Sequence, residues 1–182
     1  LECLFNLLKE KEVNIKGTIL KPNMVTSGSE STNKADVNQV ANQTIKCLKM
    51  HVPDDLPGIT FLSGGQSDLD STAHLDAMNK IGGFAWKLSF SYGRALQQPA
   101  LKAWMGKKEN ASLAQEALSH RALMNRLASE SPSIRKSLSA PDSLNTNVPP
   151  SKLTLPVAVS VVPAIVEADD APIVVPSIAP AF

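Results

Sequence analysis

An alternation of strand-like and helix-like patterns constrains the fold of this chain more than any other feature of its sequence. Three apolar runs typical of buried strands occur at residues 13–20, 58–62 and 86–90. A helical pattern follows each run, and strands that alternate with helices favour a parallel sheet with right-handed crossovers. The strands lie about 30–40 residues apart, which suits the βα units of a closed barrel or of a doubly wound sheet. The sequence therefore predicts an α/β fold and leaves these two architectures open.

The helical patterns are spaced between the strands. An amphipathic helix without a capping residue opens the chain, its shared face being Leu1, Leu4, Phe5 and Leu8. A chain that begins inside a helix is expected to be a fragment of something longer. Later helices are predicted at 35–50, 67–81, 94–104 and 110–128. Ser67 should cap the helix at 67–81 with Asp70 as its capping-box partner, Leu69 should lie on the inner face of that helix, and Pro99 should interrupt the helix at 94–104.

Charge and cysteine content exclude some classes of function. The chain has 18 basic and 17 acidic side chains, intermixed, for a net charge of +1. This balance provides no field for nucleic acid or for a membrane surface. Cys3 and Cys47 are predicted to be buried thiols in a reducing compartment, so a cytoplasmic location is expected. The histidines form no metal-ligand motif: His51, His74 and His120.

The composition changes near residue 129. Nine of the 13 prolines lie between Pro132 and Pro180, and no glycine follows Gly106. Prolines at this density are incompatible with helices or central strands. We therefore expect two regions, a folded part at 1–128 and a divergent, irregular Pro/Val-rich tail at 129–182.

Lys21 stands where the first strand ends. Pro22 biases it toward an extended backbone, so that no helix begins there. Burial of a lysine favours its neutral amine, which can then act as a nucleophile. A surface lysine whose alkyl stem lies on apolar neighbours would fit the same pattern.

The next two strand ends carry groups suited to phosphate. A Ser-Gly-Gly turn follows the second strand, and its glycines allow backbone N–H groups to approach an anion closely. A hydroxyl, a glycine and a guanidinium follow the third strand, and a guanidinium binds phosphate through two parallel hydrogen bonds. Each turn alone would also suit a plain loop, but an amine followed by two such turns is typical of the carboxyl face of a (β/α)8 barrel. The candidate phosphate residues are Ser63, Gly64, Gly65, Ser91, Gly93 and Arg94.

Three motifs give the chain a closer likeness. ILKPNMV at 19–25, FLSGGQS at 61–67 and FSYGRALQ at 90–97 resemble the class I (Schiff-base) fructose-bisphosphate aldolases in order and spacing. The resemblance covers about residues 1–128 and corresponds to the last three βα units of the family's (β/α)8 TIM barrel. The fold it implies is therefore the C-terminal part of that barrel, incomplete in this chain.

The resemblance implies roles for the candidate residues. Lys21 would form the Schiff base with the ketone of fructose 1,6-bisphosphate, and the six phosphate residues would hold one of its phosphates. No metal or other cofactor is needed in this class, and the full-length protein is expected to be a homotetramer. The family's acid–base residues lie on earlier strands that are absent here, so the isolated chain is expected to be inactive or nearly so.

Two alternatives and two departures accompany this interpretation. A truncated, non-catalytic relative of the aldolases that acts as an interaction or scaffold protein fits the same residues. A doubly wound nucleotide-binding domain fits poorly, because no glycine-rich phosphate loop follows the first strand. The chain lacks the proline expected just before Trp86, and its tail, ending in Phe182, does not resemble the family's C-terminal region.

Overall fold

The computed structural model describes residues 1–130, so the expected tail lies outside the described residues except for its first two positions. Helices and strands alternate from α1 to α4, and α5 follows directly on α4. The elements are α1 Glu2–Glu10, β1 Ile19–Leu20, α2 Val37–His51, β2 Gly58–Phe61, α3 Asp68–Ile81, β3 Lys87–Phe90, α4 Arg94–Trp104 and α5 Ala111–Ser129. Short 3-10 turns occur at Ile15–Gly17 and Lys108–Asn110.

The strands form one parallel sheet in the order β1-β2-β3, which confirms the α/β prediction. Ile19 pairs with Gly58 in the register, and Phe61 at the end of β2 pairs with Phe90 at the end of β3. Because the three strands are parallel, their carboxyl ends all lie at the same end of the sheet. A sheet of this kind is consistent with part of a barrel.

The first strand is much shorter than the predicted run at 13–20. Asn14 accepts a hydrogen bond at 3.2 Å from the backbone N–H of Lys16, and this local bond caps a 3-10 turn in place of extended chain. Within residues 1–130, β1 pairs only with β2, and Ile19 is 53% exposed. Only the last two residues of the predicted strand are therefore strand.

The capping predictions are confirmed in part. Ser67 Oγ accepts from the backbone N–H of Asp70 at 3.0 Å, as expected of an N-cap. The Asp70 carboxylate accepts from the Ser67 hydroxyl at 2.7 Å. In a complete capping box it would accept from the backbone N–H of Ser67 instead. A complete capping box occurs instead on α2, between Asp36 and Gln39, at 2.8 and 2.9 Å.

Pro99 does not interrupt α4, contrary to the prediction. The helix runs unbroken from Arg94 to Trp104 with Pro99 inside it. Pro99 lies in the second turn of a short helix, where the missing N–H removes only the bond to the carbonyl of Ala95. The proline therefore costs the helix one hydrogen bond without ending it.

The hydrophobic core lies between the sheet and the helices. Its largest fully buried apolar side chains come from β2, α2 and α3: Ile59, Phe61, Leu48, Leu75 and Met78. The prediction for α3 was wrong at Leu69, which is 68% exposed, because α3 turns Ser71, His74, Leu75 and Met78 inward. The prediction for Cys3 was also wrong: its thiol is free and exposed on α1, whereas Cys47 is half-buried. No helix in the described part of the chain is both long and apolar enough to cross a membrane.

Candidate functional site

The predicted site residues lie at the end of the sheet where the three parallel strands finish. Lys21 follows β1 directly, the Ser-Gly-Gly turn follows β2 by one residue, and Ser91 follows β3 directly. We call residues 21–23, 63–66 and 91–94 together the carboxyl edge. The parallel topology thus brings every candidate residue to the same side of the sheet, although they are far apart in sequence.

Backbone hydrogen bonds join the segments of the carboxyl edge. The N–H of Leu62 donates to the carbonyl of Pro22 at 3.2 Å, beyond the last paired residues of β1 and β2. The N–H of Ser91 donates to the carbonyl of Phe61 at 2.8 Å and extends the β2–β3 ladder in the same way. The lysine segment is therefore fixed beside the Ser-Gly-Gly turn, and that turn beside the arginine segment.

The Ser-Gly-Gly turn has a backbone that requires glycine. Gly64 and Gly65 have φ of 54° and 83°, in the left-handed region that other residues seldom adopt. A Cβ at Gly64 would lie 2.4 Å from Oδ1 of Asn23, so the Asn23 side chain occupies the space that the glycine leaves open. The N–H of Gln66 closes the turn by donating to the carbonyl of Ser63 at 3.0 Å.

Two helices begin at the carboxyl edge. α3 begins after the Ser67 cap, and α4 begins at Arg94 with Gly93 as its N-cap and no side-chain cap. The first N–H groups of a helix lack partners inside it and carry partial positive charge, which favours anions. Gly93 and Arg94 are exposed, and a Cβ at Gly93 would have nothing within 4 Å. The edge therefore offers open space and hydrogen-bond donors together.

Lys21 is exposed, which among residues 1–130 agrees with the surface lysine, the second of the two alternatives left open by the sequence, and not with a buried one. In residues 1–130, its amine makes no hydrogen bond or ion pair. The reason is the short β1, which within residues 1–130 has a neighbouring strand on one side only and whose first residue, Ile19, is exposed. Ser63 is the only buried candidate, at 7% exposure, and the others are exposed.

A group of polar residues behind the carboxyl edge escaped the sequence reasoning. Arg121 on α5 is 5% exposed, and its Nη2 donates to the carbonyl of Asp68 at 2.5 Å and to the hydroxyl of Thr72. Its Nε lies 3.6 Å from the carboxylate of Asp68. The Thr72 hydroxyl lies 2.5 Å from Oδ1 of Asn125, which is fully buried. We call Asp68, Thr72, Arg121 and Asn125 the polar cluster. The sequence signal that could have indicated it is the spacing of Arg121 and Asn125, four residues apart on α5 and on the same helix face as Ala128.

Tyr92 and His74 connect the carboxyl edge to α3. The hydroxyl of Tyr92 donates to the carbonyl of Ser71 at 2.8 Å. Burial raises the pKa of Tyr92, against the opposing influence of the Arg121 charge. His74 Nδ1 lies 2.6 Å from Oε1 of Gln66, and burial lowers the pKa of His74 against the opposing charge of Asp70. Both groups act as neutral anchors for the turns beside them.

Comparisons with known proteins place these features in one family. The family model described as "Glycolytic: Fructose-bisphosphate aldolase class-I" matches residues 1–145. The chain is 52% identical over 129 residues to a probable fructose-bisphosphate aldolase class 1 of Xylella fastidiosa (strain 9a5c), which is 70% of this chain and 39% of that protein. It is 51% identical over 126 residues to fructose-bisphosphate aldolase 2 of Caenorhabditis elegans, which is 69% of this chain and 34% of that protein.

A solved structure is similar as well. The fructose-bisphosphate aldolase of Plasmodium falciparum, in complex with TRAP and a small-molecule inhibitor, superposes with a TM-score of 0.69 at 47% sequence identity. The match covers 70% of this chain and 37% of that chain. The chain thus spans well under half the length of the relatives that it matches.

Proposed function

The chain belongs to the class-I fructose-bisphosphate aldolase family, and on that premise we propose that it supplies the nucleophile and one phosphate site of a lyase. The proposed reaction is the reversible cleavage of fructose 1,6-bisphosphate to dihydroxyacetone phosphate and glyceraldehyde 3-phosphate, in glycolysis and gluconeogenesis. The observation that supports it best is the position of Lys21, the turn at 63–65 and Arg94 after three adjacent parallel strands.

Lys21 is the proposed covalent residue. Its amine adds to the ketone carbon of the substrate, and loss of water leaves an iminium. A base removes the proton of the C4 hydroxyl, and the electrons of the C3–C4 bond move to the iminium nitrogen. Glyceraldehyde 3-phosphate leaves, the enamine gains a proton, and water releases dihydroxyacetone phosphate. Because the iminium accepts the electrons, the proposed chemistry uses neither a metal nor an organic cofactor.

The turns after β2 and β3 are the proposed phosphate site. Ser63, Gly64 and Gly65 would offer a hydroxyl and backbone N–H groups, with open space above Gly65. Ser91, Gly93 and Arg94 would complete the site with a hydroxyl, the start of α4 and a guanidinium. Arg94 makes no ion pair with any described residue, so its charge is available to a ligand.

The remaining parts of the proposed active site lie outside this chain. The acid–base groups and the cover that would keep Lys21 away from water are proposed to come from the preceding strands of a complete barrel, because Lys21 is exposed among residues 1–130. The whole protein is proposed to be a cytoplasmic homotetramer that binds a sugar phosphate and neither nucleic acid nor membrane. The intermixed charge, with a net value of +1, supports the absence of a nucleic-acid surface.

Reductive trapping tests the covalent role of Lys21. Borohydride reduces an iminium to a stable amine, so incubation with dihydroxyacetone phosphate should leave an adduct on the peptide that contains Lys21, read by mass spectrometry. Lys21→Arg should reduce the adduct to background. Lys16→Arg is the matched control, because Lys16 is also exposed and lies just before β1. Two proteins are compared: this chain, and this chain preceded by the part of the Xylella relative that the match does not cover.

The outcomes separate the two functions weighed from the sequence. Trapping at Lys21 in the completed protein, with cleavage of the bisphosphate, supports the enzyme. A completed protein that folds and shows no adduct, or an adduct that survives Lys21→Arg, overturns it. In that case the scaffold alternative would be favoured.

A further inference from the structure

The polar cluster connects both turns of the carboxyl edge to α5. Asp68 is the first residue of α3 and follows the Ser63–Gly65 turn by a few residues. Its carbonyl accepts from Arg121 Nη2 at 2.5 Å and lies 2.8 Å from the Thr72 hydroxyl. Its carboxylate lies 3.6 Å from Arg121 Nε. The Arg121 side chain on α5 therefore holds the start of α3 by contacting both the backbone and the side chain of Asp68.

The same region of α3 holds the turn after β3. Tyr92, which lies between Ser91 and Gly93, donates to the carbonyl of Ser71, next to Thr72. The charge of Arg121 is close enough to Tyr92 to oppose the effect of burial on its hydroxyl. The two turns thus share one support, the first turn of α3, which Arg121 binds from behind.

Arg121 is also a costly residue to bury for packing alone. A guanidinium at 5% exposure loses most of its hydration, and only charged or well-placed polar partners offset that loss. Among residues 1–130, its hydrogen bonds and its ion pair go to Asp68 and Thr72 at the start of α3, and on the carboxyl edge only Tyr92 is close enough to be affected by its charge. This separation argues for a residue that acts on a ligand through other residues.

We propose that Arg121 is a positioning residue that sets the spacing of the two phosphate turns by fixing the first turn of α3. This inference rests on the proposed function for its ligand, a phosphate group, and goes beyond it by assigning a role to α5. Loss of the Arg121 contacts should loosen the turns at 63–66 and 91–94 together. The core strands should be unaffected.

Hydrogen exchange tests the positioning role without a ligand. In Arg121→Met, which retains much of the side-chain volume, amide exchange should rise about tenfold or more in both turns, with β2 unchanged, because charge-assisted hydrogen bonds are lost. Arg126→Met is the matched control on α5, since Arg126 is half-exposed and its partner among the described residues is Glu130 at the helix end. Exchange that rises equally in β2 and both turns, or in neither turn, overturns the proposal.

A second variant covers loss of folding in Arg121→Met. Thr72→Val keeps the shape of the side chain and removes the hydroxyl that Arg121 contacts, so it should raise exchange in both turns by a smaller factor. Arg121→Lys should restore part of the protection, because it keeps the charge without the planar fork. A folded Thr72→Val with unchanged exchange in both turns overturns the proposal.

Phosphate binding separates this inference from the proposed function. Inorganic phosphate binding, measured by calorimetry, should weaken about tenfold in Arg121→Met and stay unchanged in Arg126→Met. If the unmodified protein binds no phosphate but exchange rises in both turns, the proposed phosphate site fails while the positioning role stands. If phosphate binds equally to the unmodified protein and Arg121→Met, the positioning role fails alone.

Discussion

The two sides of the carboxyl edge differ in how firmly residues 1–130 hold them. The turns after β2 and β3 are held by a full strand ladder, by the start of α3 and by Tyr92 and His74. The segment that carries Lys21 follows a strand of only two residues and is joined to its neighbours by one bond to Leu62 and by the packing of Asn23 on Gly64. Its other anchors come after it, where Met24 is buried and the N–H of Val25 donates to the Thr44 hydroxyl at 2.9 Å. The described residues therefore build the proposed phosphate site more completely than the surroundings of the proposed nucleophile.

Removal of side chains from the central and the edge strand should show the largest difference. Phe61 on β2 is fully buried, so Phe61→Ala should lower the free energy of unfolding by about 3–5 kcal/mol. Ile19 on β1 is 53% exposed, and Ile19→Ala should change it by no more than about 0.5 kcal/mol. Urea denaturation of the chain measures both values. An equally large effect at Ile19 would mean that another part of the protein covers it, and the contrast between the strands would disappear.

Substitution of the turn glycines should sharpen the comparison with a smaller effect. Gly64→Ala should cost about 2–3 kcal/mol of stability, because it combines a left-handed backbone with a Cβ that displaces the Oδ1 end of the exposed Asn23 side chain. Gly65→Ala has the backbone strain without a neighbour within 4 Å, so about 1–2 kcal/mol is expected. The difference should shrink when Asn23→Ala is combined with Gly64→Ala. Equal costs at the two glycines would show that Asn23 does not fill that space.

The smallest expected effect is the pH dependence of His74. Burial lowers the pKa of His74 below its ordinary value of 6.5, so the unfolded chain binds a proton more readily than the folded one. The contribution of neutral His74 to stability is therefore present above pH 6.5 and is lost as the pH falls toward the lowered pKa that His74 has in the folded chain. His74→Gln should flatten the decline of the urea midpoint below 6.5. An unchanged slope would show that groups other than His74 govern that range.

Much of the fold followed from local patterns. β2 and β3, the Ser67 cap and the shared edge were predictable, because periodicity and turn chemistry act over a few residues. The short β1 was not, since its length depends on an Asn14 turn and on partners across the sheet. Pro99 was misjudged because the sequence alone does not show whether the packing of a helix offsets the one hydrogen bond that a proline removes.

The candidate site was predictable in place and less so in environment. Motifs put Lys21 and Arg94 at strand ends, but exposure is a property of the neighbours in space, and the sequence did not show them. The misplaced Leu69 and the overlooked Arg121 have one cause. α3 packs against α5 through polar groups, and apolar periodicity cannot indicate a polar contact between helices.

The contact between Asn23 and Gly64 makes one sequence position depend on a distant one. A side chain larger than hydrogen at 64 is tolerated only if the side chain at 23 moves, whichever residue is introduced at 64. The dependence runs in one direction, because replacing Gly64 while Asn23 stays creates the clash, whereas replacing Asn23 while Gly64 stays does not. In a lineage of such sequences, this contact leaves position 23 free to change, but a larger residue at 64 requires that the side chain at 23 is replaced or moves first.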